Sequence, residues 1–297
     1  MKLPDSDDAP GSTPLERLPQ IDPLPKSPVT LSIAGSDSGG GAGIQADLRA
    51  FNYFRTHGTT ALTAVTAQNP HEVQAVFPLP PDAVRKQLEA LYRAFDIQAV
   101  KTGMLHDRGI IHATANFLNN LDSLTLVVDP VMIATSGARL LENTAVQALK
   151  NQLLPLATVV TPNLPETEIL GDIKLSGINA IVQAATDLAN QFGTYILIKG
   201  GHRTAATATD ILSDGSATWQ FVSPLVYPAT THGTGCMLSS AIAANLACGE
   251  PVINAIRIAK SYIQGCLENA VQVGPDTFAM SPPPHLPSKK IQVERIN

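Results

Sequence analysis

The chain has 297 residues, a net charge of −5, 44% hydrophobic residues and only 15% charged ones. With no Lys/Arg cluster, that balance excludes the basic face that a nucleic-acid or anionic membrane partner would need, and a small molecule is the expected partner. Cys236, Cys248 and Cys266 show no metal-type spacing, no signal-peptide pattern precedes the body and no apolar run reaches the ~20 residues that cross a bilayer, so the expected compartment is the reducing cytoplasm.

Residues 1–28 carry Pro4, Pro10, Pro14, Pro19, Pro23, Pro25 and Pro28 and predict an N-terminal tail, and 276–297, with Pro282 to Pro284 and Pro287, predict a C-terminal one. The body, 29–275, has no repeat and no Gly/Ser linker, which predicts one domain. Val29 to Ile33 reads as a strand, followed by a glycine loop to Gly43 and a helix with Ile44, Leu48 and Phe51 on its apolar face. A β-rich stretch, Thr60 to Thr66, leads to a helix that Pro80-Pro81 opens and that runs to about Phe95. Strands follow at Ile97 to Val100, Leu124 to Val128, 158–160 and Tyr195 to Ile198, alternating with helices near 108–119, 142–153 and 178–191. Segments 208–213 and 217–222, joined by Asp214-Gly215, predict a hairpin. The turn Gly233-Thr234-Gly235 then runs into an apolar helix, Leu238 to Cys248, which Gly249 and Pro251 end, and a last helix spans 251–271. The alternation predicts an α/β fold around one mostly parallel sheet.

The unusual polar residues fall just after strand ends: Asp37, Gln68, Lys101, Asp129, Asn163 with Glu166, and Lys199. In a parallel sheet those ends share one edge, outside which ligands bind. Asp129 and Glu166 suit Mg²⁺ held largely through water, Lys199 suits phosphate oxygens, and the free N–H groups of the turn at Gly233 to Gly235 suit an anion. These are the parts that phosphoryl transfer requires. Cys236 lies in the first turn of the helix, where the dipole favours a thiolate able to take part in proton transfer; the competing reading is a packing cysteine. No Walker sequence is present. The Gly39 to Gly43 loop could suit a dinucleotide, but no acid occurs between Leu48 and His71 to hold a ribose, which argues against an oxidoreductase. Taken alone, Asp37 could simply cap a turn. Lys101 reads as a structural partner of carboxylates, and His202 and His232 read as loop residues before ligand contacts.

Ala34-Gly-Ser-Asp-Ser-Gly-Gly-Gly-Ala-Gly-Ile-Gln-Ala-Asp47, Ala67-Gln-Asn69, Lys101-Thr-Gly-Met-Leu105, Asp129-Pro-Val-Met132, Thr161-Pro-Asn-Leu-Pro-Glu166, Lys199-Gly-Gly-His202 and His232-Gly-Thr-Gly-Cys236 together resemble the hydroxymethylpyrimidine/phosphomethylpyrimidine kinases of thiamine biosynthesis, in the ribokinase superfamily. The resemblance implies a ribokinase-like, doubly wound sheet with helices on both faces, dependence on ATP and Mg²⁺, and a homodimer. It implies phosphorylation of 4-amino-5-hydroxymethyl-2-methylpyrimidine and then of its monophosphate. Gly35, Asp37, Gln68, Met104 and the backbone of Val131 would contact the pyrimidine. Cys236, with Gly233 and Gly235, would stand beside the reacting group, Lys199, Asn163 and Thr234 on the ATP side, and Asp129 and Glu166 near the metal. Two positions depart from the pattern: Thr135, where a lysine is common, in a 132–138 loop expected to swing, and Met237, where a threonine is usual. The alternatives are a pyridoxal or pyridoxine kinase, which shares the Gly-Thr-Gly-Cys turn, and a non-catalytic pyrimidine or pyridoxine sensor.

Overall fold

A computed structural model describes residues 26–133, 140–203, 206–226 and 231–297. Most of the expected N-terminal tail, and Thr135 with most of its loop, therefore lie outside the described residues.

The strands are β1 (Val29–Asp37), β2 (His57–Gln68), β3 (Val73–Pro78), β4 (Ile97–Thr102), β5 (Leu126–Val128), β6 (Val159–Val160), β7 (Tyr195–Arg203), β8 (Thr207–Ser213), β9 (Thr218–Pro224), β10 (Val271–Gly274), β11 (Thr277–Ala279) and β12 (Gln292–Arg295). Between them run α1 (Gly43–Tyr53), α2 (Pro81–Ala94), α3 (Arg108–Leu118), α4 (Asn143–Ala148), α5 (Leu164–Gly171), α6 (Gly177–Phe192), α7 (Thr234–Ala247) and α8 (Val252–Glu268). Among the described residues one ten-stranded sheet has the order β12-β9-β8-β7-β6-β5-β4-β1-β2-β3. β2, β1, β4, β5, β6 and β7 run parallel, and the outer strands β3, β8, β9 and β12 are antiparallel to their neighbours.

Alternation along each central strand divides the core into two layers. Leu126, Val128, Val160, Ile196 and Ile198 point toward α2 to α6, while Val127, Val159 and Leu197 point toward α1, α7 and α8. Both faces are covered, as a parallel sheet requires, which is why these strands read as continuous apolar runs. Local chemistry sets the helix ends. Pro81 opens α2, the Asp107 carboxylate accepts from Ile110 N–H at the start of α3, and α6 stops at Gly193 in the left-handed region with φ 67°. α7 is buried from Met237 to Asn245 because α1 and α8 flank it on the sheet, so it carries no amphipathic stripe.

The sequence reading is corrected in several places. The expected C-terminal tail, 276–297, carries β11, which pairs with β10, and β12, which pairs antiparallel with β9 and extends the main sheet. β12 was unreadable because it has one apolar residue, Val293, to place against the core. β3 and α5 were also missed; α5 is short and has Pro165 in its first turn, where a proline is tolerated. The last helix ends at Glu268, before the expected 271.

Candidate active site

The C-terminal ends of the parallel strands and the N-terminus of α7 form one site, resting on a buried polar layer. Lys101 on β4 and Asp47 on α1 are both fully buried and paired, Nζ lying 2.9 Å from both carboxylate oxygens. Ser32 of β1 and Ser240 of α7 donate to the same carboxylate at 2.5 and 2.6 Å. Burying two opposite charges is tolerable only when their remaining hydrogen-bonding capacity is used, and four elements converge to do so. The structural reading of Lys101 fits this placement. Asp47, named in the sequence only within a motif, is its partner.

Two glycine loops meet above this layer. Gly233 caps α7 with φ 84°, and a Cβ there would collide with the carbonyl of Gly41. Gly43 has φ 58°, and its N–H faces the Cys236 side chain closely enough to favour the thiolate slightly. Asp37 closes the junction. Its Oδ1 accepts from Gly39 N–H and its Oδ2 from Ala42 N–H, each at 2.8 Å, and Oδ2 also lies 2.9 Å from His232 Nε2. Burial alone would raise this carboxyl, but the His232 contact and the two N–H bonds outweigh it and hold it below the usual value. Asp37 thus clamps the loop, and His232, expected to be a loop residue first, is its side-chain partner.

At the start of α7, Thr234 N–H bonds to the Thr231 carbonyl and Met237 N–H to that of Gly233. The N–H groups of Gly235 and Cys236 between them donate to nothing among the described residues. Lys199 Nζ reaches the same place, 2.7 Å from Asp129 Oδ1 and 3.2 Å from where a Gly235 Cβ would stand. Thr161 donates to Asp129 Oδ1 and Ser239 to Oδ2, each at 3.3 Å. Burial works against the Lys199 charge, but Asp129 and then Glu166 more than offset it, so the ammonium is held above its ordinary value. Glu166, 2% exposed, sits in a capping box with Asn163, the side chain of each accepting the backbone N–H of the other at 2.9 Å. Burial pushes its carboxyl up, the nearby Asp129 charge adds to this, and Lys199 and two N–H groups oppose it.

Two cavities open from this edge. The larger, about 400 Å³, is lined by Asp129, Asn163, Glu166, Lys199, Thr234 and Gly235 and extends between β8 and α8 to Asp210 and Lys260. The smaller, about 50 Å³, is lined by Gly35, Asp37, Gln68, Met104 and Val131, with Lys101 at its base. Cys236, Gln68 and Val131 border both, so the helix start stands between them. Gly35 leaves the space that the Met104 methyl fills, where a Cβ would project. The Gln68 side-chain oxygen accepts from Thr66 Oγ1 at 3.2 Å, and its side-chain nitrogen Nε2 donates to no group among the described residues.

The family described as phosphomethylpyrimidine kinase matches residues 37–281 of this chain. The chain belongs to that family. The hydroxymethylpyrimidine/phosphomethylpyrimidine kinase of Haemophilus influenzae is 45% identical over 249 residues, covering 82% of this chain and 92% of its own. The thiamine biosynthesis bifunctional protein ThiED of Geobacter sulfurreducens is 44% identical over 252 residues, and the match covers 85% of this chain and only 51% of that protein, about half its length. Among solved structures, the pyridoxal kinase of Staphylococcus aureus in complex with AMP-PCP superposes with a TM-score of 0.81 at 32% identity, covering 92% of this chain and all of that one. The fold is ribokinase-like and this kinase is a phosphotransferase.

One expectation is overturned. Cys236 was expected as a dipole-favoured thiolate, but burial pushes the thiol up to about 11. Lys101 pulls the other way, Asp47 and Asp129 reinforce burial, and the Gly43 N–H opposes it weakly. Asp210 and Lys260 were also missed. Their pair, Nζ to Oδ2 at 2.6 Å, braces Gly200 N–H through Oδ1 at 2.7 Å, next to Lys199. The signal was there: Lys260 lies between Ile256, Ala259 and Ile263 on the apolar stripe of α8, where a charge requires a partner.

The clamp at Asp37 predicts a pH dependence. A carboxyl held below its ordinary value adds stability that is fully present above about pH 4 and is lost as pH falls through the lowered value. Asp37→Asn should therefore lower Tm at neutral pH and lose less on acidification than the wild type. Parallel Tm curves between pH 7 and pH 3 would show that the clamp contributes nothing.

Proposed function

We propose that this kinase transfers the γ-phosphoryl group of ATP to the hydroxymethyl group of 4-amino-5-hydroxymethyl-2-methylpyrimidine, and then phosphorylates the monophosphate, in thiamine biosynthesis. The observation that carries the reading is the placing of the Gly235 and Cys236 N–H groups, which have no acceptor among the described residues, between a large cavity bordered by Lys199 and a small one lined by Gln68 and Met104. ATP would lie in the large cavity with its phosphates toward Lys199, Asn163 and Thr234. The pyrimidine would lie in the small one, with its ring edge on Gln68, Gly35 and Asp37 around it and Met104 and Val131 against its faces. The substrate oxygen bonds to the γ-phosphorus as the bond to the ADP oxygen breaks, and in the first step the hydroxyl proton passes to the Cys236 sulfur as the S–H proton leaves to solvent. The N–H groups and the Lys199 ammonium receive the charge that spreads over the transferring oxygens. Both the alcohol and the monophosphate can attack from the same place, because the helix start stabilises the transferring group in either step.

Among the described residues no group of three or more His, Cys, Asp or Glu could enclose a metal. That donor set fits Mg²⁺, which keeps waters and binds through one or two carboxylates plus phosphates. Asp129 and Glu166 would hold it, and it would neutralise phosphate charge. The Val65 and Phe77 side chains, exposed and directly paired across β2 and β3, suit coverage by a second copy of the chain in a homodimer. Among the described residues no helix is long and apolar enough to cross a membrane, and the free cysteines suit the cytoplasm. The likeness to a pyridoxal kinase favours one second reading, a pyridoxal kinase using the same site.

Two outcomes test the reading. Given the pyrimidine alcohol, ATP and Mg²⁺, the purified kinase should form monophosphate and then diphosphate. Monophosphate that accumulates unconverted after fresh ATP is added would sink the two-step claim, and faster turnover of pyridoxal would promote the second reading. Cys236→Ala should lower kcat by ~10² or more with ATP affinity little changed. It should also flatten any rise of kcat with pH that a thiol titrating at about 11 would produce. A loss of less than about tenfold would make the thiol a packing residue.

A further inference from the structure

Between β5 and the next described helix the chain passes through a strained residue. Val131 has φ 40°, a left-handed conformation that is an outlier for a β-branched side chain. Such a geometry persists only where its surroundings fix it. On one side stands Pro130, with Asp129 N–H tied to the Thr102 carbonyl at 3.0 Å. On the other stands Met132, 1% exposed, whose carbonyl accepts from Leu140 and Leu141 N–H at 3.0 and 3.2 Å. Its own N–H donates to Glu166 Oε1 at 3.1 Å. Capping α5 uses only the other oxygen, Oε2, on Asn163 N–H. The second oxygen therefore serves a different segment, one whose preceding residue lines both cavities.

We propose that Glu166 is a positioning residue for the small cavity. By holding Met132 N–H it keeps Val131 in the left-handed conformation that shapes the pyrimidine wall, independently of any metal. Without that acceptor the Val131–Met132 peptide relaxes toward an ordinary φ, and the valine turns from its place between the cavities. The proposal rests on the reading of the small cavity as the pyrimidine site. It assigns to one carboxylate a hold on each half of the site, Asn163 on the phosphate side and Val131 on the pyrimidine side. A substitution of Glu166 would then be felt by the pyrimidine even with no metal and no nucleotide present.

Calorimetric titration of the full chain with 4-amino-5-hydroxymethyl-2-methylpyrimidine, in EDTA and without nucleotide, tests this. Glu166→Ala should weaken binding by roughly tenfold, the size expected for losing a hydrogen bond to a charged acceptor. Glycine adopts positive φ without strain, so in a Val131→Gly background the same Glu166→Ala change should weaken binding by less than about threefold. Any loss of metal-free ADP affinity comes through Asn163 and should be the same with or without the Val131→Gly change, which relieves the pyrimidine side alone. Glu166→Met keeps the volume without the acceptor and decides the matter if the alanine variant does not fold, with weaker pyrimidine binding expected. Unchanged pyrimidine affinity in the variants, or an undiminished loss in the glycine background, would each overturn the proposal. A wild-type chain that binds no pyrimidine would overturn both it and the functional reading.

Discussion

The site depends on a backbone contact that no side chain would permit. The carbonyl of Gly41 lies where a Cβ on residue 233 would have to stand, so the loop after β1 and the start of α7 can meet only as glycine against backbone. That approach brings Gly43 N–H close to the Cys236 side chain and His232 to Asp37, and it leaves the Gly235 and Cys236 N–H groups facing the cavities. A helix start stripped of side chains in this way presents a positive end and unused donors to whatever anion arrives.

Two carboxylate–ammonium pairs stand near that helix start, and they differ in use. Lys101 and Asp47 are sealed from solvent, and Ser32 and Ser240 add donors to the Asp47 carboxylate, which suits a fixed joint between β1, β4, α1 and α7. Lys199 and Asp129 are similar in geometry, but Lys199 is partly exposed and both border the large cavity, so an incoming phosphate or cation can compete for either partner. The same electrostatic layout acts on the Cys236 thiol. Burial pushes it up, Lys101 pulls the other way, and the Asp47 and Asp129 carboxylates reinforce burial.

Much of this was legible in the sequence, for identifiable reasons. The parallel strands are buried on both faces and read as apolar runs, and the residues that end them, Asp37, Gln68, Asp129, Asn163 and Lys199, are polar where a core would not be. The elements that escaped had weak signals. β12 has a single inward valine, and α5 is eight residues long. The positive φ of Val131 and the second hydrogen bond of Glu166 leave no mark on composition or period, because they are decided by how distant segments meet. Asp210 and Lys260 were visible as charges on elements that had to be buried, yet only the fold shows that they answer each other.

The central claim is that one helix start serves two cavities, and a structure of this chain with the pyrimidine alcohol and a non-hydrolysable ATP analogue tests it most directly. The account predicts the ring in the small cavity against Gln68 and Met104, the hydroxymethyl oxygen beside Cys236, and the terminal phosphate on the Gly235 and Cys236 N–H groups with Lys199 alongside. A pyrimidine bound elsewhere, or nucleotide phosphates that leave those two N–H groups without a partner, would contradict it.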